Sequence, residues 1–145
     1  MSKNEQHNLI NIASIIRILL IVLTVLIVVI SAFFFFRTRI LAKHALRDAK
    51  NVYLALSTAE IEYYSKGKNI YDPSKVNGMS EGVERRVHEL VDNEGTFRIV
   101  SYDNREHCVT GMQYVNGNYY VFFSKDGDEL DWEVKYMMPI YQFAD

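Results

Sequence analysis

The sequence predicts an α+β chain: a long N-terminal helix, membrane-spanning in its first half and amphipathic in its second, packed on a four-stranded antiparallel meander, with a short second helix. Three observations predict it. The first 66 residues contain no glycine and no proline, whereas all seven glycines and both prolines fall from Gly67 onward. These two residue types make up roughly a tenth of ordinary sequence, so a stretch this long without either reads as one continuous helix. Within it, Ile18 to Phe36 is an uninterrupted apolar run of 19 residues. From Thr96 the pattern changes to short, aromatic-rich and β-branched runs separated by turn residues.

At about 1.5 Å per residue the apolar run extends roughly 28 Å, the thickness of a bilayer's hydrocarbon. Arg17 and Arg37 bracket it, and Thr24 and Ser31 are its only polar breaks; their hydroxyls are expected to bond back to the helix's own carbonyls. A removable signal peptide is not expected. The run exceeds the about 7–15 residues of an h-region, and Ile30-Ser31-Ala32 lacks the small residue needed at its first position. The expected divisions are a polar, frayed N-terminal tail over residues 1–14, a transmembrane helix over 15–38, and a small head domain with a helical stalk over 39–145. Ile18, Leu19, Leu23, Leu26, Ile30 and Phe33 are among the expected membrane-facing residues. Arg37, Arg39 and Lys43 are the expected contacts to lipid head groups.

Beyond the membrane run, Leu41, Ala45, Ala49, Val52, Leu56, Ala59 and Tyr63 recur at steps of three and four, while Lys43, Arg47, Lys50, Glu60 and Lys66 fall off that line. Gly67 is expected to stop the helix. Asp72-Pro73-Ser74 and Asn77-Gly78 supply turn chemistry. A short helix is expected from Ser80, as N-cap, to about Val91, with Val83, Val87, Leu90 and Val91 on its apolar face. Strands are expected at Thr96–Tyr102, Cys108–Val115, Asn118–Ser124 and Asp131–Met138, with a type I′ turn at Asn116-Gly117. In the last strand Trp132, Val134, Tyr136 and Met138 alternate with charged residues, so one face is expected to be buried by the amphipathic helix. Leu56, Tyr63, Phe97, Val121, Trp132 and Val134 are the expected sheet–helix core. Pro139 is expected to end the strand, with Ile140-Tyr141-Gln142-Phe143 docking back on the domain.

Charge is partitioned along the chain. Residues 1–66 carry eight Lys/Arg against four Asp/Glu, and residues 67–145 carry eight against fourteen, giving +4 and −6. An acidic head does not suit nucleic acid, and the partner expected from the apolar run and its basic flank is the lipid bilayer. Cys108 is the single cysteine, and His7, His44, His88 and His107 lack metal-ligand spacing to it or to one another. Asp126 to Asp131 lacks the spacing and closing glutamate of a calcium loop and reads as a solvated hairpin turn. No catalytic constellation, cofactor or metal is expected, and the chain is not read as an enzyme.

The segments Ala45-Leu-Arg-Asp-Ala-Lys-Asn-Val-Tyr-Leu-Ala-Leu56, Ile61-Glu-Tyr-Tyr64, Gly111-Met-Gln-Tyr-Val-Asn-Gly-Asn-Tyr-Tyr-Val121 and Trp132-Glu-Val134 resemble the type IV pilin and pseudopilin family. So does the order of a half-membrane, half-amphipathic helix followed by a four-stranded sheet. The resemblance implies a bacterial, single-pass cell-membrane protein of a type IV pilus or secretion assembly, joined to its neighbours in a homo- or hetero-oligomer through the N-terminal helix, with Ile18, Leu19, Leu23, Leu26, Ile30 and Phe33 as assembly residues and with the head outside. No glycine precedes the apolar run and no glutamate lies within it, so prepilin processing and the intersubunit pairing of that glutamate are not carried over. Five Lys/Arg follow the membrane run closely, against Lys3, Arg17 and the free amine before it, and charge counting alone places the head in the cytoplasm. Between the two arguments the reading taken is an extracytoplasmic head. The alternative function is a membrane-tethered binding module using the exposed sheet face or the hairpin aromatics Tyr114, Tyr119 and Tyr120.

Overall fold

A computed structural model describes the backbone of residues 3–137 and the side chains of residues 14–137. Met138, Pro139 and the segment expected to dock after them lie outside the described residues, as does the side chain of His7. The architecture is α+β: helix α1 (Lys3–Tyr64), helix α2 (Val83–Leu90), and strands β1 (Thr96–Asp103), β2 (Cys108–Asn116), β3 (Tyr119–Asp126) and β4 (Glu129–Tyr136). The strands form one antiparallel sheet in the order β1-β2-β3-β4. The chain divides into two compact units, Met1–Ile40 and Leu41–Asp145. Because α1 begins at Lys3, the expected frayed tail is helical instead; Glu5, Gln6 and Leu9 all favour helix and nothing there breaks it.

In the first unit every described side chain is exposed, Ile18, Leu19, Leu23, Leu26, Ile30 and Phe33 among them. Thr24 and Ser31 donate their hydroxyls to the carbonyls of Leu20 and Ile27, each at 2.8 Å, so the apolar run presents no unsatisfied hydroxyl. This helix contains a stretch long and apolar enough to cross a membrane.

In the second unit the helix buries Ala45, Ala49, Val52, Ala55, Leu56 and Ala59 in one core with Phe97, Ile99, Val109, Met112, Tyr114, Val121 and Phe123 of the sheet, and Val83 and Val87 of α2. Leu41, expected on this stripe, is exposed, and Glu60, expected off it, is buried. Of the remaining expected core residues, Tyr63, Trp132 and Val134 are half-buried and pack against the margin of that cluster. The reason for Trp132 is its position on an edge strand. Its ring meets Tyr53 and Phe123 at centroid distances of 5.9 and 4.7 Å, while Lys50 lies over it at 5.6 Å and leaves part of it to solvent. Tyr136, on the same face, is exposed.

Helix α1 stops in a complete Schellman motif. Lys68 N–H donates to the Tyr63 carbonyl and Gly67 N–H to that of Tyr64, each at 2.9 Å, with Gly67 at φ +67°. Ser80 does not cap α2: the helix starts three residues later behind Gly82, whose φ of +84° suits only glycine well. Leu90, expected on the buried face of α2, is exposed because the helix ends there and the chain turns into extended conformation at Val91. The Asn116-Gly117 turn is displaced by one residue. Asn116 still pairs with Tyr119, so Gly117 and Asn118 occupy the centre, and only Gly117 has positive φ. That is the type II′ requirement, and Gly127-Asp128 repeats it between β3 and β4, which therefore starts at Glu129.

The β1–β2 pairing is irregular at Ile99–Tyr102. Val100 is extra on β1 and Thr110 on β2, so the register recovers and Ile99 and Tyr102 both face the helix. Beside this bulge, Ile99 N–H donates to the Asn77 carbonyl at 2.9 Å, which ties the connecting loop to the outer edge of β1. Gly78 stands where a side chain would run into the Ile99 carbonyl, and it also has φ +67°.

Two predictions follow from this packing. Leu56→Ala should destabilise the intact chain in detergent by about 2–5 kcal/mol in urea titration, and Trp132→Ala by less than the about 3–5 kcal/mol of a fully enclosed aromatic. Gly78→Ala should cost more than Gly117→Ala, because both suffer the left-handed backbone penalty of about 1–2 kcal/mol but only Gly78 also collides.

Candidate functional site

Two features of the second unit carry chemistry. The first is a polar cluster at the end of the sheet nearest the Gly67 stop. Glu60, only 8% exposed, accepts a hydrogen bond of 2.6 Å from the Tyr102 hydroxyl. Burial raises the Glu60 pKa above the usual carboxylate range, against a smaller lowering by that bond and by His107 and Lys125. Tyr102 is pushed upward too, by burial first and then by the neighbouring carboxylate. Tyr71 stacks on Tyr102 at 5.5 Å and 15°, closing the outer side of the pair.

Next to it, Lys125 Nζ lies 3.2 Å from Glu106 Oε2 and 3.5 Å from Cys108 Sγ. Glu106 raises the lysine's pKa, with Cys108 contributing next. The turn that presents Glu106 is fixed by Asp103, whose carboxylate accepts the N–H groups of Arg105 and Glu106 at 2.7 and 3.2 Å. His107 follows at φ +52°, so it belongs to the turn and not to a strand face, and its ring meets that of Tyr64 at a tilt of 48° with centroids 4.5 Å apart. The cluster is a closed set of partners: each carboxylate in it already receives a donor. Among the described residues no group of three or more His, Cys, Asp and Glu is placed to hold a metal ion.

The second feature is a groove of about 620 Å³ between the connecting loop and the outer edge of the sheet, lined by Lys75, Val76, Asn77, Thr96, Phe97, Arg98, Gln113 and Val115. Val76 at the loop tip is 97% exposed. Arg98 Nε donates to Gln113 Oε1 at 2.6 Å, which orients the guanidinium along the sheet. The nearest acid in sequence to Lys75, Asp72, is engaged by the N–H and hydroxyl of Ser74 at 3.0 and 2.6 Å, and these bonds hold its pKa low.

The proposed hairpin aromatics do not form one surface. Tyr114 is fully buried, its ring pressed on Gly95 where any side chain would collide. Tyr119 faces the helix side beside Tyr136, and Tyr120 alternates to the outer face. The basic residues Arg37, Arg39 and Lys43 are all exposed. Sequence reasoning missed Glu60 and the Lys75–Arg98 groove, because each is made by segments distant in sequence.

The raised Glu60 pKa sets the sign of one pH effect. The neutral acid is favoured in the folded chain, so its stabilisation is full below the unfolded pKa and is lost as pH rises through the folded value. Glu60→Gln should remove that loss, giving a stability against pH that falls less than the parent's above the ordinary glutamate range. Tyr102→Phe should cost about 1–3 kcal/mol by leaving the carboxyl without its donor. Urea titrations across pH check both.

No family model matches this chain, and no curated protein or solved structure shows significant similarity to it.

Proposed function

We propose that the chain is a single-pass membrane-anchored, pilin-like structural or assembly protein that meets its neighbours through α1 and holds its head on the extracytoplasmic side. One observation carries this reading. Beyond Lys50, every exposed residue of α1 is uncharged: Asn51, Leu54, Thr58, Ile61 and Tyr64. Leu54 and Ile61 are 62% and 72% exposed. A helix face left to water ordinarily carries Lys and Glu, and a face without them suits contact with another surface. Thr58 donates its hydroxyl to the Leu54 carbonyl at 3.0 Å, so toward a partner it offers mainly its methyl group. In sequence Leu54 and Ile61 continue a step of seven that runs through Leu19, Leu26, Phe33, Ile40 and Arg47, the spacing of helices that pair.

A second reading, a membrane-tethered binding module without an assembly role, draws on the cationic groove at Lys75 and Arg98. The two separate in one experiment. In a Cys108→Ser background, oxidation of Leu54→Cys in native membranes should give disulfide-linked dimers, while Lys68→Cys should give few. Absence of Leu54 dimers would move the binding module to first place. The anchor itself should keep the chain in the membrane fraction through alkaline carbonate washing. A membrane-impermeant maleimide should label Asp126→Cys in intact cells; labelling only after lysis would put the head in the cytoplasm.

A further inference from the structure

The two outer edges of the sheet differ in charge. Along β1 lies the groove with Lys75 and Arg98; among the described residues neither makes an ion pair within 4.0 Å, and Lys75 has only the more distant field of Asp72, whose carboxylate is held by Ser74. Along β4 the alternation that turns Trp132 and Val134 toward the helix turns Glu129, Asp131 and Glu133 to the opposite face. That is also the face on which Arg98 and Gln113 pair across β1 and β2. Glu133 is matched by Lys135 at 2.9 Å, while Asp126, Asp128, Glu129 and Asp131 have no ion-pair partner among the described residues. Leu130, between two of these acids, is half exposed.

We propose that the groove beside β1 receives the β4 edge of a second copy of this chain, with Glu129 and Asp131 of one head meeting Lys75 and Arg98 of the next and Leu130 covering Val76. The occupant is a second copy because the complementary partner is already on the same molecule: unpaired cations and exposed valine on one edge, unpaired acids and exposed leucine on the other. Both heads carry net negative charge, but at about 0.15 M salt repulsion beyond roughly 8 Å is screened, whereas opposite charges in contact are not. The contact joins two different edges, so it is head-to-tail and leaves one edge of each kind free at the ends of a row. It rests on the assembly reading above, since two heads anchored in one bilayer meet at high effective concentration.

The test uses the full chain in native membranes, in a Cys108→Ser background, with two differently tagged copies carrying Val76→Cys and Leu130→Cys. Within one copy the two positions flank opposite edges, at least three strand spacings or about 14 Å apart, too far for an internal disulfide. On oxidation, mixed dimers should exceed the self-dimers of either variant. Lys75→Glu with Arg98→Glu in the Val76→Cys copy should lower the mixed dimer about tenfold. Glu129→Lys with Asp131→Lys in the other copy should restore it, which also shows that the reversed heads still fold. No excess of mixed dimer, insensitivity to charge reversal, or capture of Val76→Cys by a different protein overturns the proposal. If Leu54→Cys dimers persist while mixed dimers are absent, the edge contact is wrong and the assembly reading stands; if both are absent, both fall.

Discussion

The head depends on the close approach that α1 allows to the sheet. Four alanines, at 45, 49, 55 and 59, occupy the buried helix face with Val52 and Leu56, while the larger Leu46 and Tyr53 pack at its margin. Facing them the sheet supplies bulk: Phe97, Ile99, Met112, Tyr114 and Phe123. Small side chains on one layer face large ones on the other, and close-packed interiors tolerate added methylenes badly. The β1–β2 bulge is part of the same fit. With Val100 looped outward, Ile99 and Tyr102 both reach the helix, which a regular strand would not permit at a spacing of three.

At the far end of that interface the fit becomes polar. Glu60 follows Ala59 directly and is almost as deeply enclosed, so an isolated carboxylate there would be strongly disfavoured. Tyr102 supplies the donor, and Lys125 and His107 supply favourable field from β3 and the turn. Sliding the helix by one turn would leave both groups without partners, so the pair opposes that shift. Just beyond it the Schellman motif at Gly67 halts the helix, so the polar pair and the glycine stop together fix where α1 ends against the sheet.

The elements were legible in the sequence because each rests on local rules. The absence of glycine and proline through residue 66 gives α1, the period of three and four gives its buried face, and the Gly-containing turns give the hairpins. What was not legible depended on neighbours distant in sequence. Glu60 reads as solvated until Tyr102, 42 residues later, is placed against it. Trp132 reads as core from its alternation, but alternation only assigns a face; whether that face is covered depends on how far the helix reaches across the sheet, and it reaches β4 only at its margin. Ser80 is a good cap by residue type, yet its N–H donates to the Ile70 carbonyl at 2.8 Å, which commits it to the loop and leaves Gly82 to start α2. The groove was hidden for the same reason, since Lys75 and Arg98 meet only when the loop folds along β1.

The charges on the two sheet edges oppose indiscriminate pairing, and in the contact proposed above the same charges select the partner. Edge strands expose unpaired backbone groups, and proteins guard them with charge, bulges or covering loops. Here β1 has the bulge at Val100 and the loop bonded through Asn77, while β4 has acids at alternate positions. Two β4 edges brought together would set carboxylates against carboxylates, and two β1 edges would set Arg98 and Lys75 against their copies, with a loop on each in the way. Like charges in contact cost several kcal/mol, so self-pairing of either edge is opposed by the same groups that make the unlike pairing favourable. In the proposed contact, guarding an edge against aggregation and specifying its partner are therefore one arrangement of charge, and the edge that carries the cations would set the direction of the row.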